Sequence, residues 1–344
     1  MNESAPALAD ESIDSIDVVS PRPRRRPIIL LARIGLSLAM LYVLVKRMPH
    51  FSVDRLLPDW SRDTAIFLLL AIILTLAGIV LSTLRWRAVL NALGQDEKLG
   101  KLLSHNLAGL FVSNVLPTTI GGDVLRVSRL SKDNGETTTS FASVVLERLT
   151  GWLVLPVITL VGFMLNPGLR QLGSATEVAF ALAVGTLLAL TLLLVGVASR
   201  RFGSRVAGSD GWRRFAAAVH LGVARLRHHP AAAVNVLLTG FAYQLVLVLA
   251  ALMAAKAVGI SVAVGPTALL AFFPAVLIAQ VLPISIAGLG VREGAFVLFL
   301  TPLGVPTEQA IALGLLLYLL NLGVSLLGAP AFAVGGRSRA TLAA

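Results

Sequence analysis

The chain has 344 residues, of which 56% are hydrophobic and 14% charged, and its mean hydropathy is +0.84. A soluble protein of this size cannot bury that much apolar surface, so the composition predicts a polytopic membrane protein. The net charge of +11 favours contact with anionic lipid headgroups, and the absence of a nucleic-acid-binding motif excludes a nucleic-acid partner. Because the chain has no cysteine, and no histidine at metal-ligand spacing from a carboxylate, we expect no disulfide, no metal site and no cofactor.

Long apolar stretches follow a polar start. Residues 1–27 are polar and end in a basic run, which predicts a disordered cytoplasmic tail rather than a signal peptide. The rest, 28–335, is predicted to form a single transmembrane domain. Its stretches long and apolar enough to span the membrane as helices are 28–45, 65–84, 141–165, 177–198, 231–255 and 308–334.

Two further apolar stretches, 102–116 and 268–282, are too short to cross. At about 1.5 Å per residue, the first covers only about 22 Å of a hydrocarbon core of roughly 30 Å, so we expect it to enter the membrane and turn back. The second is followed by a partner arm at 291–303. The sequence therefore predicts two re-entrant helical hairpins beside about six spanning helices, in an all-α fold.

The longest polar loop, 199–229, is strongly basic and contains seven arginines. Within it, apolar residues recur at helical spacing, which predicts an amphipathic helix on the cytoplasmic membrane surface or a docking surface for a partner protein. These apolar residues are Trp212, Phe215, Val219, Val223 and Leu226.

A polar break ends each short apolar stretch, and the two breaks share a pattern. Asn114 to Arg126 has the sequence NVLPTTIGGDVLR, and Gln280 to Arg292 has the sequence QVLPISIAGLGVR. Both contain V-L-P-x-x-I-x-G-x-x-x-R, at an offset of 166 residues. Such a duplicated polar break between apolar arms is our candidate for the functional site.

The offset of 166 extends beyond the motif and relates two halves of the chain, 28–165 and 175–334. Each half would contain three spans and one hairpin. Because three is an odd number of crossings, the second half would be inverted relative to the first, as in many secondary transporters. The two hairpins would then enter from opposite faces and meet near the middle of the membrane.

The distribution of lysine and arginine gives the orientation of this arrangement. With a cytoplasmic N-terminus, 20 of these residues lie in the inner segments and 6 in the outer ones, as the positive-inside rule requires. The inner segments are 1–27, 85–101, 126–132, 199–229 and 335–344, and the outer ones are 46–63, 166–174 and 256–264. We expect both termini in the cytoplasm and the protein in the cell membrane.

The motif residues have properties that suit an anionic ligand. Proline ends each arm, the glycines allow a reversal of the chain, and the next helix begins with its positive end at the turn. Arginine side chains can add bidentate contacts to a phosphate, and buried acids nearby would compensate their charge. The candidate substrate-binding residues are Asn114, Pro117, Gly121, Gly122, Asp123, Arg126, Arg129, Glu147, Arg148, Gln280, Pro283, Gly288, Arg292 and Glu293.

A purely structural interpretation of the same residues stays open. Gly121, Gly122 and Gly288 can serve close helix packing, and Arg126 and Arg129 can anchor the chain at the membrane surface. The adjacent residues at 147–148 and 292–293 can form structural ion pairs. No catalytic constellation occurs in the sequence, so we expect no catalytic residues.

Three segments together resemble the lysylphosphatidylglycerol synthase transmembrane-region family, also called the flippase-like or UPF0104 membrane protein family. They are NVLPTTIGGDVLR at 114–126, VVLERLTG at 144–151 and LPISIAGLGVREG at 282–294. The resemblance covers about 28–335 and implies a membrane domain that moves lipids between leaflets. The soluble aminoacyl-transferase domain of the synthases has no counterpart in this sequence, so we expect no lysyl transfer.

The leading expectation is a flippase-like protein that translocates a phospholipid or a polyprenyl-phosphate-linked lipid. Its headgroup would lie between Pro117 and Pro283, with Arg126 and Arg292 toward the two mouths. One alternative is a membrane-embedded transferase acting on a lipid-linked donor, with Asp123 or Glu147 as base. Another is a non-catalytic membrane partner of a glycosyltransferase or lipid-modifying enzyme, which would dock on the basic loop.

Overall fold

The computed structural model describes residues 60–115, 121–198, 210–228, 230–260, 264–281 and 288–337, together with Ala39 and Tyr42. The described part is helical throughout, with turns between helices and no β-strand. The expected tail (1–27), nearly all of the expected first span (28–45), Pro117 and Pro283 lie outside it.

Eleven α-helices occur in the described ranges. They are α1 (Arg62–Ala92), α2 (Leu99–Val115), α3 (Gly121–Asn134), α4 (Thr137–Leu165), α5 (Ser174–Ala198), α6 (Asp210–His228), α7 (Pro230–Ala257), α8 (Pro266–Val281), α9 (Val291–Leu300), α10 (Thr307–Ser325) and α11 (Gly328–Arg337). Two short 3-10 helices, Pro167–Gln171 and Thr301–Leu303, lie in the connections.

Within the described ranges, five segments are long and apolar enough to cross a membrane: α1, α4, α5, α7 and the pair α10–α11. They coincide with five of the six spans predicted from the sequence, which confirms an all-helical, multi-pass membrane protein. Apolar side chains on α1 and α5, such as Leu69 and Leu192, are 57% and 71% exposed. In a membrane such faces meet lipid tails, so their exposure carries no hydrophobic cost.

The largest differences from the sequence-based boundaries are at the end of α1 and within the last span. Helix α1 extends to Ala92, eight residues past the predicted end at Leu84, because Arg85 and Trp86 are buried against neighbouring helices instead of lying at the membrane surface. The predicted span 308–334 is divided by a turn at Leu326 and Leu327, after which α11 begins.

Helices related by the offset of 166 pack in related ways. Helix α1 packs along α7, its own counterpart. Helix α4 packs on α8, and the corresponding pair α10–α11 packs on α2, the counterpart of α8. The short arm of each half therefore contacts the last span of the other half.

A pair of equivalent glycines makes these crosswise contacts close. A Cβ at Gly162 on α4 would overlap the backbone of Ala271 on α8, and a Cβ at Gly328 on α11 would overlap the backbone of Leu107 on α2. Small residues at helix crossings allow backbones to approach closely where no hydrophobic effect drives association. The two glycines are separated by 166 residues, the same offset as the two copies of the motif.

The main apolar core lies where α4, α7, α8, α9 and α10 meet. Phe272 on α8 is at its centre, edge-on to Phe163 at 5.5 Å and stacked on Phe299 at 5.2 Å. A polar cluster around Glu147 lies outside this core, in the N-terminal half of α4.

Candidate functional site

The hairpin formed by α2 and α3 positions Arg126, the arginine of the first copy of the repeated motif. A Cβ at Gly122 would overlap the carbonyl group of Gly109, so the two arms pack backbone to backbone there. A Cβ at Gly109 would lie 2.9 Å from Cγ of Arg126, which fixes the course of this side chain. Toward the other end of the hairpin, His105 Nε2 lies 2.6 Å from Asp133 Oδ2.

Glu147 on α4 is the centre of a buried ionic cluster. Its Oε1 accepts a hydrogen bond from Arg85 of α1, and its Oε2 accepts one from Arg126 Nη1 at 3.2 Å. The three side chains are only 2%, 6% and 5% exposed for Glu147, Arg85 and Arg126. Charges at this degree of burial are retained only where partners or a ligand compensate them.

A second ion pair continues the cluster toward the surface. Arg148 donates to both carboxylate oxygens of Asp123, from Nε at 3.0 Å and from Nη2 at 2.9 Å. Asp123 also lies 3.5 Å from Arg126 Nη1, which connects the two parts. The side chains of Arg148 and Asp123 are 51% and 21% exposed, so this pair lies at the mouth of the buried cluster.

Aromatic rings cover the two buried guanidinium groups. Cζ of Arg126 lies 4.1 Å from the ring centre of Trp86, and Cζ of Arg85 lies 4.9 Å from that of Tyr243. Trp86 is held in place by a hydrogen bond from Nε1 to Ser143 Oγ at 3.0 Å. The quadrupoles of the rings stabilise the cations without using their N–H groups.

Four buried guanidinium nitrogens in the cluster have no hydrogen-bond partner among the described residues. They are Nε and Nη1 of Arg85 and Nε and Nη2 of Arg126. In charge, three arginines face two carboxylates in the described part of the chain, an excess of one positive charge. Buried polar groups in proteins are almost always satisfied, and an anionic group is able to accept hydrogen bonds from nitrogens of this kind.

The second copy of the motif has a different chemistry. Arg292 donates to Glu293 Oε1 from Nη2 at 3.0 Å and from Nε at 3.2 Å, so its charge is compensated one to one. Glu293 Oε2 also accepts from the backbone N–H of Gly290 at 2.6 Å and thereby caps α9. Gly288, at a φ of +78°, packs against Gln280. The two copies of the motif therefore differ in charge distribution.

The structural interpretation of adjacent ion pairs holds for one pair and not for the other. Arg292 and Glu293 bond to each other, whereas Glu147 and Arg148 bond to different partners. From α4, Glu147 contacts Arg85 of α1 and Arg126 of α3, whereas Arg148 reaches Asp123 in the first turn of α3.

Two other candidate residues lie away from the cluster. Arg129 donates to the carbonyl oxygens of Ala331 and Phe332 at 2.9 and 3.0 Å, and so binds the hairpin to α11. Asn114 Nδ2 donates to the carbonyl oxygen of Leu110 at 3.2 Å, within its own helix. The structure thus brings together Asp123, Arg126, Glu147 and Arg148 of the predicted set.

Sequence reasoning missed Arg85, Trp86 and Tyr243. The tripeptide Arg85-Trp86-Arg87 has the composition of a membrane-interface anchor, which predicts a position at the membrane surface. A signal was nevertheless present. Arg85 precedes small or apolar residues at spacings of three, four and seven, namely Ala88, Val89 and Ala92, and all three are buried. That spacing places Arg85 on the inward face of α1.

Comparisons with known proteins agree with the membrane fold. Residues 30–328 match the family described as Lysylphosphatidylglycerol synthase TM region. The chain is also 26% identical over 141 residues to UPF0104 membrane protein MJ1595 of Methanocaldococcus jannaschii, an alignment that covers 40% of this chain and 42% of that protein. No solved structure matches the chain. Because the family match extends over most of the sequence, the chain belongs to the Lysylphosphatidylglycerol synthase TM region family.

Proposed function

We propose that this protein is a flippase-like membrane protein that moves a phospholipid or another lipid-linked anionic substrate between leaflets. The headgroup phosphate binds between Arg85 and Arg126, beside Glu147. The observation that carries the proposal is the set of four buried guanidinium nitrogens that lack a partner within the described ranges. A phosphate oxygen accepts several such N–H groups at once and compensates the excess positive charge.

The exposed pair at the mouth gives the headgroup a route to the buried arginines. Asp123 and Arg148 satisfy each other and leave Arg126 behind them, so an entering phosphate passes a neutral pair before it meets an uncompensated cation. The family name refers to the membrane region of a phospholipid synthase, which agrees with a lipid substrate.

The proposal includes an inverted arrangement of the two halves, with both termini in the cytoplasm. The crosswise packing of α4 on α8 and of α10–α11 on α2 supports it, since each half then holds the short arm of the other. Relative movement of the halves would expose the headgroup site alternately to the two leaflets. In this proposal the anion site belongs to the first half, and the compensated pair Arg292–Glu293 has a structural role.

The proposal is tested by reconstituting the full chain in liposomes that contain labelled phosphatidylglycerol in one leaflet. We expect the label to exchange faster than in protein-free liposomes. Exchange equal to that of empty liposomes across several classes of anionic lipid would contradict a translocase. Turnover of a lipid-linked donor in detergent, where no second leaflet exists, would instead indicate a transferase. Co-purification with a glycosyltransferase or lipid-modifying enzyme, without either activity, would indicate a membrane partner.

A further inference from the structure

Helix α6 brings exposed basic residues to the ends of two spanning helices. It packs on α4, where a Cβ at Gly222 would overlap the side chain of Leu146. Ala218 and Val219 on the same side of α6 are almost fully buried. Of the predicted apolar face, Val219 is buried and Leu226 packs in part against the protein itself. His220, Arg225 and His228 remain exposed.

An open cavity of about 520 Å³ lies where α6 meets the end of α1 and the start of α7. Arg225 and His228 contribute its basic groups, and Asn91 contributes an amide. No acidic residue is among those that line it in the described part of the chain. The cavity thus suits a negatively charged group.

An apolar stripe on α7 continues from the cavity. Val234 and Leu238 are 54% and 62% exposed and follow Ala231 of the cavity wall at helical spacings of three and seven. A cationic cavity with an exposed apolar stripe leading away from it along a spanning helix matches the shape of a phospholipid, with its headgroup at the membrane surface and its acyl chain along the helix.

We propose that the cavity and the stripe, together the α6–α7 groove, bind an anionic phospholipid that is held by the protein and not translocated. The site is separate from the Arg85–Arg126 cluster and does not depend on the function proposed for it. Because Leu146, which packs on Gly222, precedes Glu147 directly in α4, a lipid in the groove would also stabilise the helix that carries the central acid.

Photo-crosslinking tests the groove directly. The full chain is placed in phosphatidylcholine nanodiscs with a small fraction of photoactivatable phosphatidylglycerol, and the adducts are mapped by mass spectrometry. We expect adducts within 91–94 and 225–238. Arg225→Ala is expected to lower them about fivefold, the effect of one cation at a lipid surface. Arg225→Lys, which keeps the charge, and Arg62→Ala, which removes an exposed arginine at the other end of α1, should leave them unchanged.

The apolar part of the groove has a test of its own. Leu238→Gln should lower the adducts while it preserves every cation, and thermal stability in detergent verifies that each variant folds. Equal labelling by a photoactivatable phosphatidylcholine would overturn the proposal. Labelling that Arg225→Ala leaves unchanged would do the same. Loss of the adducts on addition of glycerol 3-phosphate would reassign the groove to a soluble anion, and adducts on a co-purified protein would reassign it to a protein partner.

Discussion

At the scale of single residues, Arg126 is the member of the cluster that can be removed most cleanly. Without it, Glu147 keeps its hydrogen bond from Arg85, and Asp123 keeps both hydrogen bonds from Arg148. The remaining two arginines and two acids are then neutral as a group. Arg126→Ala therefore removes the excess positive charge without leaving a buried carboxylate unpaired. It should weaken headgroup binding while the protein still folds.

Glu147→Gln is predicted to have the opposite effect. It leaves Arg85 without its carboxylate partner, and Arg126 with only Asp123, which lies 3.5 Å away and already pairs with Arg148, among the described residues. Loss of one partner of a buried ion pair costs about 3–5 kcal/mol. The expected result is a clearly lower midpoint of heat denaturation in detergent. The matched control is Glu177→Gln, at an exposed position near the start of α5, which should shift the midpoint little. Equal denaturation midpoints for Glu147→Gln and Glu177→Gln would contradict the compensation of Arg85 and Arg126 by Glu147.

Arg292→Ala is predicted to act on stability more than on lipid recognition. Its removal leaves Glu293 buried with only the N–H of Gly290 as its partner among the described contacts. We expect a lower denaturation midpoint, and we expect Arg292→Ala combined with Glu293→Gln to recover part of the loss because the pair is then removed as a unit. A double variant less stable than Arg292→Ala would show that the two side chains act independently.

Part of the site could be predicted from the sequence. The motif and the acid after it in the chain identified Asp123, Arg126, Glu147 and Arg148, because ionisable residues beside apolar stretches need partners or ligands. The pairing could not be predicted, because it depends on which faces of α1, α3 and α4 meet. Arg85 was missed for the same reason, since its burial arises from contacts with helices distant in the chain.

At the scale of helices, the crosswise contacts depend on Gly162 and Gly328. Alanine at either position would push the backbones of two helices apart, and overpacking of this kind costs about 1–3 kcal/mol. Both variants are expected to lower the denaturation midpoint. Gly323→Ala is the control: it lies in α10 with no atom within 4 Å of its added Cβ, and alanine favours the helix by about 0.5–1 kcal/mol. If Gly162→Ala were as stable as Gly323→Ala, the close approach would be absent.

The positions of the helices could largely be predicted from hydropathy, since each apolar stretch that lies in the described ranges forms a helix. The division of 308–334 into α10 and α11 could not. It occurs beside Gly328, whose close contact with Leu107 belongs to the packing of the two halves. The local sequence determines the length and polarity of a helix. A break in a helix that depends on a contact with a residue distant in the chain, such as Leu107, cannot be predicted from it.

For the molecule as a whole, the inverted arrangement requires α5, the first span of the second half, to cross the membrane. Because the chain has no cysteine, single cysteines introduced at 170 and 210 report on the two ends of that helix. We expect an impermeant thiol reagent to label them from opposite sides, with 210 on the cytoplasmic side. Labelling of both from one side would exclude the inverted repeat.

In the proposed mechanism, the excess positive charge of the buried cluster binds the headgroup of a translocated anionic lipid. The most direct measurement is the exchange rate of labelled phosphatidylglycerol in proteoliposomes with the wild-type chain, Arg126→Ala, or Arg87→Ala as a control at a half-exposed arginine paired with Asp96. A hydrogen bond to a charged group contributes about 1.5–3 kcal/mol, so Arg126→Ala should lower the protein-dependent rate by at least about tenfold. Arg87→Ala should exchange lipid as the wild type does. Lipid exchange at the wild-type rate by a folded Arg126→Ala protein would contradict the role of Arg126 in binding the headgroup.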